Sequence, residues 1–312
     1  MFSTSIRTTF FNHPITNYTE IAPPISSSCM KSLVAVLVLI SSAFAQPNPT
    51  WRSWNQPVEP FRIVGNIYYV GASDIASYLI TSSQGHILID GGFVETAPMI
   101  RDNIRKLGFK VEDVKFLLNS HAHFDHAAGL AQLKQWTGAQ FVASRADGDQ
   151  IARGGHNDPM WGDKYLFPPT KPDRIIADGE TVTVGNNVLT AHLTPGHTKG
   201  CTTWTTTTED RGRRYNVLFL CSVSAPGYKL VNNPNYPNIV TDYEHTFAYL
   251  NSLPCDVFLA AHASMFNMTE KRAAQIADPT RNPFIDPQEF HAYLAQAQQD
   301  FEAELKQQQK TK

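Results

Sequence analysis

The sequence predicts an α/β (α+β) fold, an αββα sandwich in which two mixed β-sheets pack face to face and helices cover the outer faces. Two observations support this prediction. Segments with strand character and segments with helical spacing occur in both halves of the chain, and several apolar runs stop directly before a histidine-containing loop. The composition, 42% apolar and 17% charged over 312 residues, is that of a globular protein long enough for one large domain.

The segment from residue 30 to residue 45 is predicted to be a secretory signal peptide. It has a basic residue, an apolar core from Leu33 to Ile40 and a small-residue ending, with cleavage expected near Ala45. The apolar core is too short for a permanent bilayer span, so no stable membrane anchor is expected once the signal is removed. Export predicts a periplasmic protein in an oxidising compartment.

Residues 1–29 lie upstream of this signal and show neither helical nor strand periodicity. We interpret them as a non-native upstream extension, with Met30 as the true initiator. A genuine extension or a transit peptide is the alternative. Residues 46–312 are then expected to form a single domain.

The first half of the mature chain predicts strands and helices in alternation. Gly and Ser interrupt the strand-like runs, and each helical segment stops at a glycine. The predicted strands are 61–71, 76–82, 86–92, 114–120 and 140–144, and the predicted helices are 94–109 and 126–138.

The second half begins with a predicted loop, residues 153–172, in which Gly, Pro and aromatic residues follow no period. A second group of strands follows, and Asp286-Pro287 is a suitable start for a terminal helix. The predicted strands are 181–185, 188–196, 201–208, 215–224 and 255–262, and the predicted helices are 241–253 and 286–310.

The charge distribution argues against a polyanionic partner. The formal net charge is −2, from 26 basic and 28 acidic residues, and no basic run or stripe is visible. No binding of nucleic acid or of an anionic membrane surface is therefore expected.

Three cysteines fall in the mature part of the chain, so one must stay unpaired if the others form a disulfide. Cys201 opens one strand-like run and Cys221 closes the next, and a hairpin could bring them together. Cys201–Cys221 is the preferred pair, with Cys255 free. Three buried thiols that act as small apolar side chains are the alternative.

Residues 121–126, with the sequence HAHFDH, follow directly after the apolar run VKFLL. In an extended turn His121 and His123 point the same way, while Asp125 and His126 follow at the start of the next helix. One short loop can therefore supply two ligands to each of two neighbouring metals, and the buried strand before it would hold the loop rigid. A solvated polar turn is the alternative.

Four ligands cannot complete two sites, so further strand-end histidines are needed. His197 follows a strand-like run and a Pro-Gly turn, and His262 closes an apolar strand. Zinc binds histidine nitrogen and carboxylate oxygen, and a catalytic site keeps one position open for water. A lone histidine at a strand end is often structural, but the companion loop favours two zinc ions. The first triad is His121, His123 and His197, and the second triad is Asp125, His126 and His262.

The motifs HAHFDH, PGHT and the late AAH, in this order, resemble the metallo-β-lactamase superfamily over about residues 58–300. The resemblance implies the αββα fold and a metal-dependent hydrolase. It leaves the substrate open, because one fold hosts several functions.

The stretch 218–230 bears on the substrate. In glyoxalase II-like thioesterases and many other hydrolases of the superfamily, a strand here ends in a Gly-Asp pair whose Asp bridges both metals, whereas this sequence has Cys221-Ser222. A Cys is a second-site ligand in class B β-lactamases of subclass 1. However, SVSAPGY and PGHTKGCTTW closely resemble subclass 3, whose second site uses Asp, His and His. Members of that subclass often pair a Cys near Cys255 with one where this chain has Phe290, so that disulfide is expected to be absent.

The resemblance to subclass 3 implies zinc-dependent hydrolysis of the β-lactam amide of penicillins, cephalosporins and carbapenems by a metal-bound hydroxide, and hence antibiotic resistance. Ser222 and Ser224 would bind the substrate carboxylate. Tyr228 would help to polarise the lactam carbonyl, and Asp125 would orient the nucleophile. For Ser222, Ser224 and Tyr228, the alternative is that they only form a turn in this loop. A monomer that acts on a small molecule is expected.

Two other functions remain open from the sequence. A lactonase or thioesterase of the same superfamily would predict an Asp at or beside Ser222. A non-enzymatic periplasmic zinc-binding protein would bind zinc tightly without any chelator-sensitive hydrolysis.

Overall fold

The computed structural model describes residues 49–311, and these form two β-sheets packed face to face with helices outside them. The predicted upstream extension (1–29) and signal peptide (30–45) lie outside the described residues. Among the described helices, none is long and apolar enough to cross a membrane.

The first sheet has seven strands in sequence order, of which the first four are antiparallel and the rest pair in parallel. Each of the three parallel pairs needs a crossover connection, and these contain the helices Thr96–Lys106, Leu130–Thr137 and Arg145–Ala152. The strands are β1 Phe61–Val64, β2 Ile67–Tyr69, β3 Tyr78–Ser82, β4 Gly85–Ile89, β5 Val114–Leu118, β6 Gln140–Ser144 and β7 Arg174–Ile176.

The second sheet has five strands in the order β12-β11-β10-β9-β8, with only β11 and β12 parallel. Strands β9, β11 and β12 therefore run in the same direction and end at the same edge. The strands are β8 Thr181–Val184, β9 Asn187–Leu193, β10 Thr202–Asp210, β11 Arg213–Leu220 and β12 Val257–Ala260.

Eight α-helices are described in residues 49–311, and most lie outside the sheets. They are α1 Pro49–Trp54, α2 Thr96–Lys106, α3 Phe124–Ala127, α4 Leu130–Thr137, α5 Arg145–Ala152, α6 Ile239–Asn251, α7 Met268–Ala277 and α8 Glu289–Lys310.

Side-chain alternation along β4 explains the layers. Ile87 and Ile89 join the core between the sheets, which also contains Trp204 of β10, while Leu88 faces outward into a cluster with Ile100 of α2. A strand buried on both faces is typical of a sheet with parallel pairing, and it reads in sequence as a continuous apolar run. The predicted αββα fold is confirmed.

Several predicted element boundaries were wrong. The strand predicted over 61–71 is two strands, because Gly65 adopts a φ of 50° and turns the chain. The helix predicted over 126–138 starts earlier and is split at Gly129, where an added Cβ would lie 2.2 Å from the carbonyl oxygen of Gly91. Helices α1, α5 and α7 and strand β7 were not predicted.

The preferred cysteine pair forms a disulfide, Cys201–Cys221, which joins the start of the β10 region to the end of β11. Cys255 is buried and has no disulfide partner among residues 49–311, and Phe290 is buried at the position where the resemblance places the second cysteine of a pair.

Candidate metal centre

The predicted ligands come from three strand ends at one edge of the sandwich. His121 follows β5, His197 lies in the loop between β9 and β10, and His262 follows β12. A backbone hydrogen bond from Thr202 N to Ser120 O, 2.8 Å long, joins the loop after β5 to the start of β10. The topology therefore gathers loops from both sheets at one place.

The first triad is compact. The ring centroids of His121 and His123 are 4.8 Å apart, and they lie 4.7 Å and 4.6 Å from that of His197. One ligand nitrogen from each of the three lies within 4.8 Å of the others. His121 and His123 are almost fully buried, whereas His197 is only partly buried.

The second triad is equally close. The Oδ2 atom of Asp125 lies 3.4 Å from His126 Nε2 and 3.6 Å from His262 Nε2, and the two nitrogens are 3.2 Å apart. His121 lies between the triads, since its ring is 4.3 Å from that of His126. The six predicted ligands thus form one continuous cluster.

Burial sets the protonation state of the first triad. It lowers the pKa of His121 and of His123 well below the usual value, with their histidine neighbours adding to the shift. The same cause lowers the pKa of His197 to about 4. Neutral imidazole is the form that binds a metal, so these rings are ready to act as ligands at neutral pH.

The second triad carries charge. Burial alone would raise the pKa of Asp125, but His126 and His262 outweigh it and hold the pKa below its usual value. Burial would lower the pKa of His126, but the carboxylates of Asp125 and Asp90 outweigh it and raise it. A carboxylate among imidazoles offers the hard oxygen ligand that a second zinc would take beside nitrogen.

Ring orientation is fixed by groups behind the ligands. The Nδ1 atom of His197 lies 2.8 Å from the carbonyl oxygen of Ser224, which can only accept a hydrogen bond, so Nδ1 carries the proton and Nε2 is free. His262 Nδ1 lies 2.9 Å from Asp74 Oδ2 in the same way. Such partners are typical of metal-binding histidines, and the donor set of both triads fits zinc.

The three predicted substrate residues lie next to the first triad. Ser222 is buried, and its Oγ lies 3.1 Å from that of Ser224. The Tyr228 ring stacks on His197 with centroids 5.6 Å apart, and its hydroxyl donates to the His197 carbonyl oxygen at 3.0 Å. In this arrangement Tyr228 supports His197.

An aromatic cluster borders the first triad. The Trp161 ring lies 4.3 Å from that of His123 and 5.3 Å from that of Tyr165. Both residues belong to the loop predicted over 153–172. A cleft of about 110 Å³ opens beside it, lined by His123, Asp147, His197, Lys199, Tyr228 and Tyr236 among others.

Two further histidines of the described residues lie outside the triads. His156 is exposed and its Nδ1 is 3.3 Å from Asp163 Oδ2. His192 is buried, with its two nitrogens 2.8 Å from the Tyr249 hydroxyl and 2.7 Å from the Thr205 hydroxyl. Neither joins the predicted ligand cluster.

Sequence reasoning missed three aspartates that support the site. Asp90 ends β4 and accepts hydrogen bonds from Ser120 N and Asn119 Nδ2. A strand-end Asp before two glycines was a visible signal. Asp74 and Asp147 had no such signal, because their partners are distant in sequence.

Comparison with known proteins gives a consistent assignment. A family model described as the metallo-beta-lactamase superfamily matches residues 70–262. Native FEZ-1 metallo-beta-lactamase from Legionella gormanii is 45% identical, with a TM-score of 0.80 over 85% of this chain and 99% of that chain. BJP-1, a subclass B3 metallo-beta-lactamase of Bradyrhizobium japonicum, is 42% identical, with a TM-score of 0.79 over 84% of this chain and 99% of that chain.

Curated relatives are more distant. The human mitochondrial persulfide dioxygenase ETHE1 is 31% identical over 123 residues, which cover 39% of this chain and 39% of that protein. An N-acyl homoserine lactonase from Bacillus cereus is 25% identical, over 39% of this chain and 54% of that protein. The match thus spans about half or less of these relatives, whose activities differ. The solved structures confirm the predicted resemblance to subclass 3 and the prediction of an enzyme.

Proposed function

Because this chain belongs to the metallo-β-lactamase superfamily, we propose that it is a subclass B3-type β-lactamase that hydrolyses the amide bond of penicillins, cephalosporins and carbapenems. The observation that carries the proposal is the loop beside the two triads. It has Ser222 and Ser224 where a lactonase or thioesterase of the superfamily is expected to place a metal-bridging Asp. The near full-length likeness to FEZ-1 and BJP-1 supports the same substrate class.

We propose two zinc ions per chain. His121, His123 and His197 would hold the first, and Asp125, His126 and His262 the second. When bound, zinc supplies a Lewis acid and lowers the pKa of a coordinated water to about 7. Metal binding itself is supported by the family and by the ligand cluster.

The chain's own groups would orient the reaction. In hydrolysis, water adds to the lactam carbonyl carbon, the C–N bond breaks and the ring nitrogen gains a proton. Asp125 stays ionised, because its pKa is held low by His126 and His262, so it can accept a hydrogen bond from the attacking water and orient it.

Tyr228 and the two serines would act on the substrate side. Burial raises the pKa of Tyr228 well above its usual value, so its hydroxyl remains a donor. Reaching the lactam carbonyl would require that hydroxyl to leave the His197 carbonyl oxygen. The hydroxyls of Ser222 and Ser224, which face each other, could donate to the substrate carboxylate directly or through water.

The proposal includes a periplasmic monomer. Residues 46–312 would form the mature single domain after removal of the signal peptide at 30–45, and residues 1–29 would not be native. A β-lactamase is useful in that compartment, because its substrates act on wall synthesis outside the cytoplasm.

Steady-state hydrolysis tests the function. Purified protein should turn over benzylpenicillin, nitrocefin and imipenem, lose this activity with EDTA and regain it with added zinc. An acyl homoserine lactone and an acyl thioester serve as competing substrates. Turnover of either one in preference to all three β-lactams would overturn the proposal, as would zinc binding without any hydrolysis.

A matched pair of variants links activity to the site. His197→Asn should abolish most hydrolysis, whereas His192→Asn changes a buried histidine outside the ligand cluster and should keep it. Equal losses of hydrolysis in the two variants, when both remain folded, would contradict the assignment of His197.

A further inference from the structure

We propose that Asp147 is a positioning residue that fixes the first triad, by holding the loop of His121 and His123 against the loop of His197. This inference rests on the proposed function, because it takes the first triad to be a metal site. It assigns a role to a buried carboxylate that touches none of the predicted metal ligands through a hydrogen bond.

The contacts of Asp147 join the two loops. Its Oδ2 accepts from Ala122 N at 2.9 Å and from the Thr198 hydroxyl at 2.6 Å, and its Oδ1 accepts from Gly200 N at 2.8 Å. Ala122 is the residue between His121 and His123. Thr198 directly follows His197.

Both oxygens accept hydrogen bonds because the carboxylate is buried. Asp147 is 3% exposed and makes no ion pair in the described part of the chain, so three hydrogen bonds are its compensation for burial. Burial raises its pKa to about 6, and the donors from Thr198, Gly200 and Ala122 limit the rise. The side chain is therefore still mostly a carboxylate at neutral pH.

Gly200 packs closely against Ser144 and Asp147, with no space for a side chain. A Cβ at this position would lie 2.3 Å from Ser144 Oγ and 2.7 Å from Asp147 Oδ1. Ser144 also donates to the Gly200 carbonyl oxygen at 2.6 Å. Ser144, directly before helix α5, thus binds the carbonyl of Gly200, and Asp147 in the first turn of α5 binds its amide. Gly200 lies three residues after His197.

A second link between the loops is the Thr202–Ser120 backbone hydrogen bond, which no side-chain change removes. The two loops therefore stay joined without Asp147, and the role of Asp147 is to fix the positions of the first-triad histidines more precisely. Metal ligands must be held to about 0.5 Å, and loss of a supporting group typically costs 10–100-fold in metal affinity.

Asp147→Asn tests the role. The amide keeps one acceptor but turns an NH2 group toward either Gly200 N or Ala122 N, so one donor faces another donor. We expect zinc affinity at the first triad to fall about 10–100-fold. Affinity at the second triad should stay within about twofold of wild type.

The measurement uses the full chain and zinc alone. Competition with a chromophoric chelator gives the two dissociation constants, and histidine side-chain ¹⁵N NMR shows which rings bind at each zinc equivalent. Asp256→Asn is the matched control. Asp256 also accepts two hydrogen bonds, from Asn216 N and Nδ2 between β11 and β12, and its variant should keep both affinities.

The outcomes are distinct. A wild-type protein whose His121, His123 and His197 rings do not bind zinc overturns the proposed function and this inference with it. A wild type that binds two zinc ions, together with an Asp147→Asn variant of unchanged affinity or one that loses both sites equally, overturns the inference alone. If Asp147→Asn does not fold, Thr198→Val removes a single donor and should weaken the first triad by a few-fold. No change in Thr198→Val would then contradict the role.

Discussion

The two sheets contribute to the metal centre in different ways. The first sheet supplies four predicted ligands from six consecutive residues, 121–126, after one buried strand. The second sheet supplies one histidine from each of two separate strand ends. His197 is oriented by Ser224, 27 residues away, and His262 by Asp74, 188 residues away.

This difference is one of how many ligands a single loop carries. The loop after β5 is supported within the first sheet, since Asp90, directly after β4, accepts from Ser120 N at 2.7 Å. Each second-sheet histidine has its own supporting group, Ser224 for His197 and Asp74 for His262. Substitution of a supporting residue such as Asp74 or Asp147 should therefore lower zinc affinity at one triad only. Substitution of Asp125, which contacts histidines from both sheets, should lower the rate of hydrolysis itself.

The largest effect is expected for Asp125→Ala. Asp125 belongs to the first-sheet loop and lies within 3.6 Å of His262 from the second sheet, so it joins the two contributions. We expect hydrolysis of imipenem to fall by more than about 100-fold, since loss of a supporting residue alone costs 10–100-fold. Circular dichroism and thermal unfolding should show a retained fold. Near-normal imipenem hydrolysis would refute the ligand assignment.

A smaller and more selective effect is expected for Asp74→Asn. The amide nitrogen would face the proton on His262 Nδ1, while Oδ1 could still accept from Ser264 N, 2.8 Å away in the native protein. Zinc affinity at the second triad should fall about 10–100-fold and the first should be unchanged. Chelator competition measures both, and Asp147→Asn should give the opposite pattern. Identical patterns in the two variants would remove the distinction between the sheets.

The same contrast explains what the sequence could predict. The layers followed from apolar runs such as that of β4, and the motif at 121–126 followed from its own spacing. His197 and His262 were found because each lies at or just after the end of a predicted apolar strand. Asp74 and Asp147 could not be found, because an isolated aspartate gains its role only when folding brings it to a distant loop. Helix α5 was missed because the segment that forms it contains Gly148, a poor helix former. A Cβ at this position would lie 2.8 Å from the Pro172 side chain, so the close packing favours glycine here.

Removal of the disulfide between Cys201 and Cys221 shows how much it contributes to the stability of the second sheet. Cys201 and Cys221 lie 20 residues apart and are both buried, and Cys221 directly precedes Ser222. Replacing both with serine should lower the free energy of unfolding by about 2 kcal/mol, the low end for a disulfide, because the β10–β11 hairpin already joins the two ends. Urea unfolding measures this loss.

Zinc stoichiometry should stay at two in that double variant, and β-lactam hydrolysis should be retained, because a cysteine held in a disulfide is not a metal ligand. Selective loss of one zinc equivalent would instead favour a ligand role for Cys221, as in subclass 1.

The smallest effect is expected at Cys255, the cysteine of the described residues that has no disulfide. Burial raises the pKa of its thiol to about 12, with the Asp256 carboxylate adding to the shift. The thiolate is the reactive form, so at pH 8 roughly one thiol in 10⁴ is ionised and a thiol reagent such as DTNB should not react with native protein over minutes. Rapid reaction at pH 8 would show that the second sheet opens at the start of β12, the end away from His262. Denatured protein, in which the thiol regains its ordinary pKa, is the positive control. A silent Cys255 in wild type that reacts in the Cys201→Ser/Cys221→Ser variant would show that the disulfide at the end of β11 also keeps the start of β12 closed.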